Sequence, residues 1–82
     1  MDLVKVKWLD AAFENAGQHR EEALAIKPIP RYNVGMLLHQ DDEKVLLVFG
    51  VVDHGTPEEI VYDGVLVIPK GMVTEITRLK EA

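Results

Sequence analysis

Apolar and polar residues alternate in the stretch LVKVKWL near the start of the chain. Val4, Val6 and Trp8 fall on one side of an extended backbone. Lys5 and Lys7 fall on the other side. A period of two, built from β-branched and aromatic residues, is typical of a strand with one buried face. The pattern therefore predicts a first strand whose apolar side contributes to the core.

The two segments that follow have a different character. DAAFENAG allows two interpretations, since Asp10 could cap a short helix that ends at Gly17, or the whole segment could be a loop. The next segment, HREEALAI, is rich in good helix formers and predicts a helix. That helix must end before Pro28 and Pro30, because proline disfavours helix at and before its own position.

From Tyr32 onward the pattern predicts four consecutive antiparallel strands. In RYNVGMLLHQ, Val34, Met36 and Leu38 fall on one face. Gly35 lies inside this strand, where glycine often marks a bend and a close approach of another backbone. The next segment, KVLLVFGVV, is apolar on both faces, which predicts a strand that is covered on both sides.

The last two predicted strands are IVYDGVLVIP and MVTEITRL, with acidic turns, DDE and DHGTPEE, before and after the third strand. Pro69 cannot donate a ladder hydrogen bond, so the fourth strand must end there. Gly71 permits a tight reversal, for which we expect a positive φ. Gly35, Gly50 and Gly64 lie at positions where a bent strand would otherwise crowd its side chains. Five short, bent strands predict a small, mainly β, five-stranded antiparallel barrel with one short helix.

Composition narrows the class of protein. The 82 residues fit one domain, 1–82, and 48% hydrophobic with 28% charged residues is a globular balance. There is no cysteine for a disulfide or a thiolate metal site. The formal net charge of −5 argues against a general phosphate-binding surface. We see no signal-peptide pattern and no bilayer-spanning apolar run, so we expect a cytoplasmic protein and no membrane partner.

The second half of the chain resembles the Sm-like family of Sm, LSm and Hfq proteins. VLVIPKGMVTEI is similar to the second Sm signature, with Lys70 and Gly71 in the place of an Arg-Gly pair. VGMLLHQDDEKVLLVF is similar to the first signature, with its acidic turn at Asp41 and Asp42. The resemblance covers residues 32–79. It implies a Sm-like barrel and a homo-oligomeric ring, in which the fourth strand, Ile60–Ile68, pairs with a neighbour's fifth strand, Met72–Leu79.

The order of several short motifs also resembles small uncharacterised proteins of tailed bacteriophages. These motifs are WLDA at 8–11, EEA at 21–23, KP at 27–28, VG at 34–35 and IPKG at 68–71. This resemblance implies a phage-type accessory protein that acts in the host cytoplasm.

Catalytic and metal-binding groups are sparse. The groups able to bind a metal are His39, His54, Asp53 and the pair Asp41–Asp42. Two such residues on one turn are common by chance, so we expect no metal site. The chain has no serine or cysteine nucleophile, and Thr56 near His54 is better explained by a hairpin turn. We therefore expect no catalytic residue, no cofactor and no enzyme activity.

Aromatic and basic residues offer a weaker signal for nucleotides. Trp8 and Phe13 are able to stack on a base, although Trp8 shares a face with Val4 and Val6 and is better explained as core. Lys5 and Lys7 are best explained as a solvated strand face. The alternative is a basic strip that also includes Lys27, Arg31 and Lys70.

Two functions remain in view. The first is a non-enzymatic, homo-oligomeric binding or scaffolding module. The alternative is a binder of RNA or small nucleotides in pockets between subunits, including sequestration of a nucleotide as an anti-defence protein. Glu43 and Lys44 stand where Sm-like RNA binders carry Met-Asn, so nucleic-acid binding is expected to be weak or absent. The candidate ligand-binding residues are Lys70, Gly71, Asp41, Asp42 and Trp8.

Overall fold

This computed structural model describes residues 1–80. Within them, five antiparallel strands and one short helix are joined by loops and turns. The strands are β1 (Leu3–Asp10), β2 (Ile29–Gln40), β3 (Lys44–Val52), β4 (Val61–Pro69) and β5 (Val73–Arg78). The helix α1 (Arg20–Ala25) follows β1, and short 3₁₀ turns at Pro57–Glu59 and Lys70–Met72 precede β4 and β5. The mainly β architecture with one short helix is confirmed. Glu81 and Ala82, the end of the predicted domain, lie outside the described residues.

The core is small and lies on one face of the sheet. Val4 and Val6 of β1 are buried, whereas Lys5 between them is exposed, so the predicted alternation of β1 is confirmed. The buried cluster is completed by Val45, Leu47 and Ile68. Full burial of each such side chain contributes roughly 1.5–3 kcal/mol. Val48, on β3, is also fully buried but lies outside this cluster.

The strands form one open sheet, not the predicted closed barrel. Their order is β4-β3-β2-β1-β5, so β4 and β5 are the two edges and do not pair with each other. The turn Lys70–Met72 connects the two edges. Before it, Pro69 at the end of β4 pairs with Lys44 of β3, and after it, Val73 at the start of β5 pairs with Trp8 of β1. This turn contacts both β1 and β3, so the sheet curls around its core without a β4–β5 ladder to close it.

The sheet also forks in its middle. Residues 36–40 of β2 pair with residues 45–48 of β3, whereas residues 29–35 of β2 pair with β1 alone. Residues 50–52 of β3 pair only with β4. Residues 49–63 therefore stand out as a two-stranded hairpin, which we call the arm. The described chain is correspondingly elongated, with extents of 58 × 26 × 25 Å.

The fork overturns half of the prediction that β3 is covered on both sides. Val45, Leu47 and Val48 are fully buried, as expected for a covered strand. Phe49 is 50% exposed, and Val51 and Val52 are exposed as well. The prediction fails for these last residues because β2 no longer accompanies β3 there.

Several element limits differ by one to three residues from the sequence-based expectation. β2 begins at Ile29 rather than Tyr32, because Pro30 is accommodated opposite Leu9 where β2 has no partner on its other side. β5 begins at Val73, since Met72 belongs to the preceding turn. For the segment after Asp10, where the sequence allowed a short helix or a loop, the structure has a loop. The helix predicted from HREEALAI is confirmed as α1.

Two of the predicted glycine positions have opposite outcomes. A Cβ on Gly35 would lie 3.2 Å from the carbonyl oxygen of Val48, so the expected close approach of a second backbone is confirmed. Gly71 does not have a positive φ, and the prediction that its turn requires one is wrong. Lys70–Met72 forms a 3₁₀ turn, whose φ values are negative and suit any residue. Gly64, in β4, instead adopts a φ of +63°.

Candidate functional site

Two turns lie side by side at one end of the sheet. The backbone N–H of Lys70 donates to the carbonyl oxygen of Glu43 at 2.8 Å. The Lys70 ammonium donates to Oε1 of Gln40 at 3.1 Å. The structure thus brings together four of the five predicted ligand-binding residues, since Asp41–Asp42 lies in the β2–β3 turn and Gly71 follows Lys70.

Asp41 organises the β2–β3 turn. Its Oδ1 accepts hydrogen bonds from the backbone N–H groups of Glu43 and Lys44, at 2.8 and 3.0 Å. Its Oδ2 lies 2.8 Å from Nε2 of His39. The hydrogen bond with His39, and then those from the two backbone N–H groups, lower the pKa of Asp41 to about 2. Both carboxylate oxygens already have partners, so Asp41 is better suited to holding the turn than to binding a ligand.

Gly71 leaves space beside Lys70. A Cβ placed on Gly71 would meet no atom within 4 Å among the described residues. The backbone of this turn therefore needs no glycine, and the methyl group of an alanine fits there.

Trp8 is placed differently from the other candidates. Its Nε1 donates to Oδ1 of Asn33 at 2.9 Å, and its partly buried ring packs against the core cluster. It lies opposite Val73, just beyond the Lys70–Met72 turn. No hydrogen bond joins Trp8 to the two turns in the described part of the chain.

The basic residues do not form one strip. Arg31 forms an ion pair with Asp10 at 2.8 Å, and Lys70 lies at the turns. Lys7 instead places its ammonium 5.7 Å from the centre of the Tyr32 ring. Tyr32 was not among the predicted site residues. Its place beside Lys7 depends on the β1–β2 register, which the sequence pattern alone does not specify.

Within residues 1–80 there is neither a deep pocket nor a group of three or more metal-binding side chains. His39 and Asp41 contact each other, as the shared turn suggested. In the other turn, Asp53 accepts the backbone N–H of Gly55 at 2.8 Å. In each of the two turns, one acidic side chain, Asp41 or Asp53, thus has a local structural partner.

The most distinctive surface feature is exposed apolar area. Sixteen large hydrophobic residues are exposed in the described part, against six that are buried. The chain exposes 6401 Å², whereas a compact monomer of 9.2 kDa exposes roughly 4,900 Å². The excess of roughly 1,500 Å² is about twice the roughly 800 Å² that one partner buries in a standard protein–protein interface.

Seven of these sixteen residues lie on the arm and on β4. Val65 and Val67 of β4 are 50% and 55% exposed, and Val61 is similar. β4 is also an edge strand, so one side of its backbone has no strand partner within residues 1–80. Unpaired backbone and apolar side chains therefore coincide on the same element.

No protein-family model, curated protein or solved structure matches the chain. No helix among the described residues is long and apolar enough to cross a membrane.

Proposed function

We propose that this chain is a non-enzymatic, homo-oligomeric binding or scaffolding module of the kind encoded by tailed phages, acting in the host cytoplasm. The observation that carries the proposal is the edge strand β4. Its backbone is unpaired on one side in the part of the chain that the structure describes, and Val65 and Val67 are half-exposed. Such an edge is a template for pairing with another chain.

A second copy of the chain supplies a suitable strand. The other edge of the sheet, β5, is also unpaired in the described chain. Pairing of β4 in one copy with β5 in the next uses two different edges, so the contact is head-to-tail and repeats until a ring closes. In this assembly the Sm-like sheet is closed by its neighbours rather than within one chain.

The protection of the β4 edge is limited. Natural edge strands avoid pairing through charges, proline or bulges. On β4, Asp63 is the only charged residue, and Pro69 is at the end of the strand. The stretch between them, GVLVI, carries no such protection.

Light scattering and native mass spectrometry of the purified protein test this proposal. At tens of micromolar we expect an oligomer, and we expect the double substitution Val65→Lys and Val67→Lys to dissociate it. Leu24→Lys with Ile26→Lys is the matched control, since both residues are exposed, neither lies on an edge strand, and the added charge is the same. A monomeric parent protein, or an oligomer that both variants retain, would contradict pairing through β4.

A second candidate function is the binding of RNA or a small nucleotide between subunits, including sequestration of a nucleotide as an anti-defence protein. The observation that favours it is the contact of Lys70 with the β2–β3 turn, at Gln40 and Glu43. These are the two turns that resemble the Sm signatures. Native mass spectra of protein purified from its host would show a retained nucleotide as added mass on the oligomer.

A further inference from the structure

The arm, residues 49–63, is apolar on both of its faces. Phe49 packs near Gly35 and Gly64 yet remains 50% exposed. Beyond Phe49, Val51 and Tyr62 are cross-strand partners, as are Val52 and Val61, and all four side chains are exposed. A hairpin of two strands is marginally stable in water by itself. The arm therefore gains the most from a surface that covers it.

The arm is also strongly acidic. The sequence has no lysine or arginine between Lys44 and Lys70. The acidic residues within this interval all belong to the arm and its turn: Asp53, Glu58, Glu59 and Asp63. Two arms side by side would bring like charges together, which disfavours contact between them.

A surface of complementary character lies on the outer face of β1 and β2. Lys5 is the cross-strand partner of Val34, and Lys7 is the partner of Tyr32, so these four side chains share the face opposite the core. Tyr32 is 60% exposed, and Val34 is exposed beside it. We call these four residues the lysine face. On β5, Glu75 is the partner of Lys7 and offsets part of its charge.

We infer that the acidic arm of one copy docks on the lysine face of a second copy. The inference rests on the proposed self-assembly, but it names a contact separate from the pairing of β4 with β5. Acidic residues at the tip of the arm would lie near Lys5 and Lys7. The apolar flanks of the arm would cover Tyr32 and Val34.

The direction of this contact follows from the distribution of charge. Each copy carries one arm and one lysine face, and no ion pair joins the two within a single chain among the described residues. Arm-to-face docking is thus heterologous, which is compatible with a ring. Contacts between exposed charges weaken as salt rises, so this contact contributes most at low ionic strength.

Charge reversal tests the inference. The face variant carries Lys5→Glu and Lys7→Glu, and the arm variant carries Glu58→Lys and Glu59→Lys. All four residues are on the surface, so each variant should fold, and circular dichroism checks this. By sedimentation velocity at low salt, we expect each variant alone to associate about tenfold more weakly than the parent. An equimolar mixture of the two should regain association, because each reversed surface finds its complement on the other variant.

Two control variants keep the same change in net charge. Glu21→Lys with Glu22→Lys matches the arm variant, and Arg20→Glu with Lys27→Glu matches the face variant. We expect both controls to associate like the parent. If the controls weaken association as much as the test variants, or if the mixture does not regain it, the inference is overturned.

The outcomes also separate this inference from the proposed function. Assembly that is lost with Val65→Lys and Val67→Lys but unaffected by charge reversal would support edge pairing and overturn arm docking. Assembly that responds to charge reversal but not to the valine substitutions would support arm docking and overturn edge pairing. A parent protein that stays monomeric at tens of micromolar would overturn both.

Discussion

Gly64 is a glycine whose replacement should destabilise the fold. Its φ of +63° is unfavourable for an L-residue, and a Cβ there would lie 3.2 Å from Cδ2 of Phe49. We therefore expect Gly64→Ala to lower the free energy of unfolding by roughly 1–2 kcal/mol.

Gly71→Ala provides the matched control, because Gly71 has no positive φ and no neighbour within 4 Å of an added Cβ. Urea denaturation of both variants measures the difference. Equal urea midpoints for Gly64→Ala and Gly71→Ala would show that β4 does not require a glycine at position 64.

Asp41 should titrate well below an ordinary aspartate. Its pKa is lowered from 3.8 to about 2, first by His39 and then by the N–H groups of Glu43 and Lys44. Because the folded-state pKa is depressed, its contribution to stability is fully present above pH 3.8 and is lost as the pH falls through about 2. Carbon-detected NMR titration of the carboxyl group measures this midpoint.

Substitution of His39 should show how much of the lowered Asp41 pKa is due to His39 and how much to the backbone N–H groups. In His39→Phe the midpoint should rise but stay below 3.8, since the backbone donors remain. His54→Phe, in the turn after β3, should leave the titration of Asp41 unchanged. A midpoint near 3.8 in the parent protein would show that the turn does not hold Asp41 as described.

The glycines also show where residue-level prediction ends. PKG after an apolar strand is compatible with a left-handed glycine turn and with a 3₁₀ turn, and the chain adopts the second. The contact between Phe49 and Gly64 could not be predicted from the sequence, because it depends on the β3–β4 register. By contrast, the acidic DDE turn was predictable, since an aspartate at its start can accept the N–H groups that follow.

At the scale of the strand, the two halves of β3 should differ in hydrogen exchange. Residues 45–48 have strand partners on both sides, whereas residues 50–52 have β4 alone. We expect faster amide exchange in residues 50–52 at low micromolar concentration. Their protection should grow as the concentration rises, if the arm is covered on assembly. Uniform protection along β3 at every concentration would contradict the fork.

Local pattern predicted individual elements better than it predicted their arrangement. The alternation in β1 and the helix formers of α1 act within a few residues, so both were found. Closure of the sheet depends on whether two distant edges meet, and no periodicity encodes that. The start of β2 at Ile29 was missed for a related reason, since Pro30 is acceptable only where the strand lacks a second neighbour.

At the scale of the whole molecule, the charge balance predicts poor binding of nucleic acid. With a net charge of −5, we expect no tight binding of uridine-rich or random single-stranded RNA at physiological salt. Any weak binding should disappear as salt rises. Fluorescence anisotropy at low and physiological salt tests this. Nanomolar, salt-tolerant binding that Lys70→Ala abolishes would favour the alternative function.

The net charge of the chain does not show how the charges are distributed, and arm docking depends on that distribution. The absence of lysine and arginine between Lys44 and Lys70 is visible in the sequence, but it acquires meaning only once residues 49–63 are known to project. The complementary face required the pairing of Lys7 with Tyr32. Surfaces of this kind follow from register, and register was the least predictable property of the chain.

The same absence of basic residues decides which proteases can cut the arm. Trypsin cleaves after lysine or arginine and finds no site from Val45 to Pro69, however exposed that hairpin is. Chymotrypsin, which cleaves after aromatic residues, finds Phe49 and Tyr62 at the surface. Because a covering surface would hide Phe49 and Tyr62, an arm that chymotrypsin cuts belongs to an isolated copy, and the cut fraction measures the unassembled molecules.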